Sequence, residues 1–233
     1  MKSNAAAAVL ALGIVVGLFL LGRELHTGVV EFKERDRVVT VKGLAEREVD
    51  ADVVIWPLRF VDAGDDYDAL FASIDEKTTA VVTFLEDAGF DGAEITVTPA
   101  EVIDKRAQRY GGGGDIGLRY AATRTVTVHT GEVDRVREAV IRLQELVRRG
   151  VVFESSRPQY LFTRLNDLKP SMIEDATREA RAVAEKFAED SGSRVGRIRS
   201  ARQGQFSITD RDASTPYLKK VRVVSTVEYY LAD

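Results

Sequence analysis

Hydrophobic positions along this chain recur with two periods, two and 3.6, and the order in which they alternate predicts the elements. Arg37 to Gly43 (RVVTVKG) reads as a short strand, and Val49 to Val61 as a longer one that is apolar on both faces near its centre. Pro57 interrupts the second strand; it cannot donate to a ladder, so it predicts an edge or a bulge. Asp65 to Ala88 carries Leu70, Phe71, Ile74, Thr78, Val81, Val82 and Leu85 at helical spacing. Strands follow over Ala93 to Gln108 and Leu118 to Thr130, joined by a glycine turn at Gly111 to Gly114. In the second of these, Tyr120, Ala122, Arg124, Val126 and Val128 share one face, and Ala121, Thr123, Thr125, Thr127 and His129 the other; a half-wet face suits an antiparallel sheet. Glu132 to Arg149 is a second helix, Val151 to Phe162 a strand, and Ser171 to Asp190 a third helix, which Ser171 and Glu174 would open as an S-x-x-E capping box. The apolar face of that helix is Met172, Ile173, Ala176, Ala180, Val183, Ala184 and Phe187. Gly89, Gly150 and Gly192 each stand just beyond a helix, where a left-handed residue is wanted. Arg194 to Ile208 and Val221 to Leu231 complete the body as strands.

The order is β-β-α-β-β-α-β-α-β-β. Its middle portion, β-α-β-β-α-β from Val49 to Phe162, is that of a split βαβ, ferredoxin-like unit. The expected fold class is therefore α+β, an antiparallel sheet with helices on one face. No Pro/Ser-rich break divides the body, so residues 38–233 are expected to form a single α+β domain behind a charged connector at 24–37.

The first residues follow neither period. Ser3 to Gly22 holds twenty residues without a charge, about 30 Å as a helix, enough to span a bilayer core. The apolar run continues to Leu21 and meets Gly22-Arg23-Glu24 with no Ala-x-Ala site. A signal peptide has a shorter apolar core and a small-residue cleavage site. Residues 1–23 are thus expected to be an uncleaved transmembrane anchor, with Ala5, Leu10, Gly13, Gly17 and Leu21 among its lipid-embedded residues. Gly13 and Gly17 form a GxxxG spacing that lets two helices approach closely. Flanking positive charges do not decide the orientation: Lys2 precedes the segment, while Arg23, Lys33, Arg35 and Arg37 follow it.

Composition narrows the function. There are 33 Lys+Arg against 37 Asp+Glu, for a net charge of -4. No basic run is present, and phosphate neutralisation needs clustered cations; nucleic acid is not an expected partner. With no cysteine and two histidines, disulfides, thiolate metal sites and cysteine nucleophiles are excluded, and no metal or cofactor is expected.

Three blocks of the chain resemble the SIMPL-domain family. VVTVKGLAEREVDADV (Val38 to Val53) is similar to its opening strand, glycine and alternating polar stretch, although the family's Pro-Asp is Ala51-Asp52 here. RYAATRTVTVHTGEVDRVREAV (Arg119 to Val140) resembles its Tyr-x-Ala strand and second helix. ATREARAVAEKFAEDSGSRVGRI (Ala176 to Ile198) resembles its Ala-rich helix, small turn and V-G-x-I. The resemblance covers about residues 38 to 231. It implies an extracytoplasmic α+β body behind an export signal or anchor, a tendency to form large ring- or channel-like homo-oligomers, and in some members a link to oxidative-stress defence. It carries over no catalytic residues.

Individual candidates agree with a non-enzymatic reading. His129 has no carboxylate or second histidine beside it, which general acid–base work would need. Asp62, Asp65, Asp66 and Asp68 lack the Gly and Glu of a calcium loop, with Tyr67 and Ser73 at those positions; acids entering a helix suit its macrodipole. The glycine turn is not a phosphate loop, since no Gly-Lys-Ser/Thr follows. Arg194, Arg197, Arg199 and Arg202 make a basic strip. No G-x-S-x-G occurs. The expectation is a non-enzymatic, single-pass protein of the cytoplasmic membrane with its body outside the cytoplasm. It acts by assembling with copies of itself, with Gly111, Gly114, Tyr229 and Tyr230 as candidate oligomer contacts. The alternative is a ligand- or peptide-binding module of the same compartment.

Overall fold

The computed structural model describes residues 37–107 and 117–232, together with Gly17. The described chain is mixed α+β, with antiparallel strands and helices, and it divides into two compact units. One comprises residues 37–47, 168–207 and 222–232, the other 48–167 and 208–221. Every border falls inside a strand or helix, at Arg47/Glu48, Asp167/Leu168, Ser207/Ile208 and Val221/Arg222. No linker composition exists there to announce a boundary.

The first unit rests on β1 (Val38–Asp50), β8 (Arg194–Gln203) and β10 (Leu218–Ala232), in the order β1-β10-β8. The helix α4 (Leu165–Asp190) lies against β1. Its buried stripe is Met172, Ala176, Ala180, Ala184 and Ala188, each one turn apart. The alanines permit very close packing. A β-carbon on Gly43 would stand 1.8 Å from the Ala176 carbonyl oxygen and 2.5 Å from the Ala180 amide nitrogen. Strand glycine and alanine stripe are thus one feature, a helix laid directly on strand backbone. Val41, Val227 and Tyr229 complete the core of this unit with Ala180 and Ala184.

The expected helix start at Ser171 is corrected to Leu165, with Pro170 inside the helix. Ser171 does not cap. Its hydroxyl donates to the Leu168 carbonyl (3.0 Å) and accepts from Arg47 Nη1 (3.1 Å), while Arg47 Nη2 reaches Asp175 (3.0 Å). A serine behind a proline, with a guanidinium to satisfy, serves the helix interior here.

The second unit is built on β2 (Val53–Gly64), α1 (Tyr67–Asp87), β3 (Ile95–Val97), β4 (Glu101–Asp104) and β5 (Tyr120–Thr130). It continues through α2 (Val133–Arg142), α3 (Gln144–Arg148), β6 (Val152–Ser155) and β7 (Gln159–Leu161). The strand order is β3-β5-β2-β6, with β4 also on β5 and β7 also on β2, all antiparallel. Each helical connection therefore joins two strands that flank a third. Val54, Trp56, Leu58 and Phe60 point to one face of β2 and are fully buried, opposite Val126 and Val128 of β5. Ile74, Val81 and Leu85 of α1, Val136 of α2 and Leu146 of α3 close the core. Burying each such side chain contributes about 1.5–3 kcal/mol. Along α1, Phe84 is buried in place of the expected Phe71, which stacks on Tyr67 at the surface.

Prolines account for some of the remaining departures. Pro57 does not mark an edge, because β2 is central. On one side it pairs with Thr127; on the other it falls between β7, which pairs with Val53–Ile55, and β6, which pairs with Arg59–Val61. The Trp56 indole fills that interval by donating to the Ser156 carbonyl at 2.9 Å. The strands expected over 93–108 and 151–162 are each split, around Pro99 and Pro158. The helix expected over 132–149 is divided at Leu143, which is buried. The strand expected over 194–208 ends at Gln203; β9 (Ser207–Asp210) follows and pairs with β10.

Candidate functional site

Of the residues assigned to the anchor, Ala5, Leu10, Gly13 and Leu21 lie outside the described residues, and Gly17 alone is described, helical and exposed. Among the described residues no helix is long and apolar enough to cross a membrane. Gly111 and Gly114 also lie outside them. Tyr229 is 1% exposed and belongs to the core of the first unit. Burial pushes its phenol pKa up, a rise that Arg181 opposes and Glu185 assists. Tyr230 is half-buried, with the Arg199 guanidinium 6.0 Å from its ring centre. Strand alternation puts the two tyrosines on opposite faces.

The acidic cluster is structural. Asp66 caps α1 by accepting from the Ala69 amide at 2.8 Å, and Asp65 accepts from the Arg119 amide at 2.9 Å. Burial pushes the Asp62 carboxyl up, but hydrogen bonds from Lys77, Ser73 and the Ala63 amide outweigh it and hold the carboxyl below its usual value. Asp52 does comparable work at the entry of α4. It accepts from the Thr163 amide (2.8 Å) and hydroxyl (3.1 Å) and from the Arg164 amide (3.2 Å) and Nε (3.1 Å). Burial opposes ionisation there too, and those four bonds again prevail. Among the described residues no group of three or more His, Asp or Glu is placed to hold a metal ion.

Two surfaces of the second unit stand out. The first is the outer face of the sheet. Directly paired residues share a face, so the register sets Leu161 beside Val53, Val152 beside Val61, and Ile103 beside Ala121. Ile103, Val152 and Leu161 are exposed, Val152 at 61%. Between them lie half-buried Ile55, Pro57 and Val61, the Thr123, Thr125 and Thr127 row, and exposed His129. Arg59 stands within this face, between Pro57 and Val61 on the same row of β2, and forms an ion pair with Glu154 at 2.6 Å.

The second is a groove of about 550 Å³ lined by Arg137, Val140 and Ile141 of α2, by Arg157, Pro158 and Tyr160, and by Asp210, Ser214, Pro216 and Tyr217. The Arg137 guanidinium stacks 3.9 Å from the centre of the Tyr217 ring, and Tyr160 meets Tyr217 edge-on at 6.1 Å. Sequence analysis singled out none of these residues. They come from three segments that only the fold brings together, and the one local signal is a proline shortly before each tyrosine, Pro158 two residues before Tyr160 and Pro216 directly before Tyr217.

The basic strip lies along β8, an edge strand of the first unit's sheet. Arg199 pairs with Glu228 at 3.3 Å.

The family model for SIMPL, described as a protein of unknown function (DUF541), matches residues 39–229. The chain belongs to this family. No curated protein matches it.

Proposed function

We propose that this protein is a membrane-anchored, non-enzymatic extracytoplasmic component that works by assembling with copies of itself. The observation that carries the reading is the apolar outer face of the second unit's sheet. Exposed aliphatic side chains gathered on one face, here Ile103, Val152 and Leu161, mark an interaction site. The patch also suits a two-fold contact: with Arg59 and Glu154 side by side, each charge can meet its opposite across the axis, and flat aliphatic and threonine rows can pack on themselves. The β8 edge is the poorer contact between identical copies. Antiparallel pairing of β8 with itself would bring arginines of one copy against those of the other, and like charges across a ladder are destabilising. An anchor in residues 1–23 would raise the effective concentration of the bodies and strengthen weak contacts.

Size-exclusion chromatography with light scattering on residues 24–233 and on the full chain in detergent tests the reading. The expected result is an assembly in both, converted to monomer by Val152→Glu, a position exposed enough to leave folding intact. A strict monomer in both preparations overturns it.

A further inference from the structure

We propose that the groove between α2, the Arg157-Pro158 turn and the β9–β10 loop binds a small carboxylate with an apolar body. This goes beyond self-assembly and concerns a separate surface of the second unit. Its size lies within the range of small-molecule sites, which are apolar clefts with a few convergent polar groups. Val140, Ile141, Pro158 and Pro216 supply the apolar walls. Ile141 is 76% exposed, a large aliphatic side chain that folding leaves in water.

The charge in the groove points to an anion. Asp210 is hydrogen-bonded by Lys219, so its charge is matched within the protein. Arg137 gives Nη1 to Asp134 at 2.6 Å and is held by its stacking on Tyr217, which leaves the rest of its donor fork unassigned. Among the described residues no carboxylate pairs with Arg157. Guanidinium donors bind carboxylates through paired hydrogen bonds, and Tyr160 and Tyr217 line the same groove. The walls are also held in advance. Asp212 accepts from the Ser214 amide (2.8 Å), the Thr215 amide (2.9 Å) and hydroxyl, and Arg211 Nε (3.0 Å), which fixes the β9–β10 loop. A site ordered beforehand loses less entropy on binding.

The test is calorimetric titration of the full chain, in a non-ionic detergent, with 4-phenylbutanoate and with its neutral counterpart 4-phenylbutanamide. The expected result is saturable binding of the acid and at least about tenfold weaker binding of the amide. Arg157→Gln should weaken the acid about tenfold, since a hydrogen bond to a charged group is worth that much, and Arg157→Lys should recover part of it. Ile141→Asp should abolish binding while the circular dichroism spectrum stays unchanged. Absence of saturable heat with the acid, equal affinity for acid and amide, or indifference to Arg157→Gln would each overturn the proposal.

Discussion

Gly43 leaves α4 no room for a side chain beneath it. A β-carbon there meets helix backbone rather than a yielding side-chain tip, so strand and helix must separate. Gly43→Ala is expected to cost at least about 2 kcal/mol, the scale of overpacking in a well-filled interior, and urea unfolding would show a lower midpoint. Asp52 gives a second prediction, with a pH signature. Its side chain is 11% exposed and carries four hydrogen bonds. Asp52→Ala is expected to cost about 1 kcal/mol by removing the carboxylate that gathers the donors at the start of α4, the scale of losing a helix cap. Because the folded carboxyl is held below the ordinary value of about 3.9, its contribution is fully present above that pH. It is lost as pH falls through the lowered folded value. Unfolding curves of parent and variant should therefore converge on acidification. The glycine and the aspartate both stood in the stretch that resembled the SIMPL opening, so their presence was legible. Their reasons were not, because Ala176, Ala180, Thr163 and Arg164 are over a hundred residues away.

At the scale of elements, pattern served where burial alternates cleanly. In β10 the sequence alternates Val221, Val223, Ser225, Val227, Tyr229 and Leu231 against Arg222, Val224, Thr226, Glu228 and Tyr230, and all of the first set but Leu231 are buried, because one face of that strand meets the core and the other does not. Pattern failed where backbone chemistry overrides periodicity. Pro99 sits in apolar, β-branched surroundings that read as continuous strand, and Pro158 falls in a polar stretch between Val151–Phe153 and Tyr160–Phe162, yet a residue without an N–H ends a ladder on the side it faces. Pro57 shows the complementary case: a central strand tolerates it because its neighbours on one side, β7 and β6, leave an interval there. The β9–β10 loop was unreadable for another reason. Asp212-Ala213-Ser214-Thr215 looks like any polar turn until the Asp212 carboxylate is seen gathering two amides, a hydroxyl and a guanidinium. Those donors hold its pKa down to about 2 against a slight burial penalty. Asp212→Ala is expected to raise hydrogen exchange at the Ser214 and Thr215 amides at least about tenfold and to leave the exchange of β2 and β5 unchanged. In the parent protein the same loosening should begin only as pH drops below about 4 and continue as pH falls through about 2.

For the whole molecule, the question is which surface brings copies together, and salt separates the candidates. If the arginines of β8 made the contact by pairing with acidic surface of another copy, association would depend on exposed charges. Such contacts weaken as the Debye length falls from about 30 Å at 0.01 M ionic strength to about 3 Å at 1 M. If the outer face of the second unit's sheet makes it, the area removed from water is mainly aliphatic and threonine methyl surface, and salt leaves that term intact or strengthens it. The reading adopted above therefore predicts that residues 24–233 associate at least as tightly at about 1 M sodium chloride as at about 0.05 M. Arg197→Glu and Arg202→Glu should leave the assembly intact, whereas Val152→Glu dissolves it. Sedimentation velocity across that salt range decides the matter: loss of the assembly at high salt would move the contact to β8, and persistence with sensitivity to Val152→Glu would keep it on the sheet face.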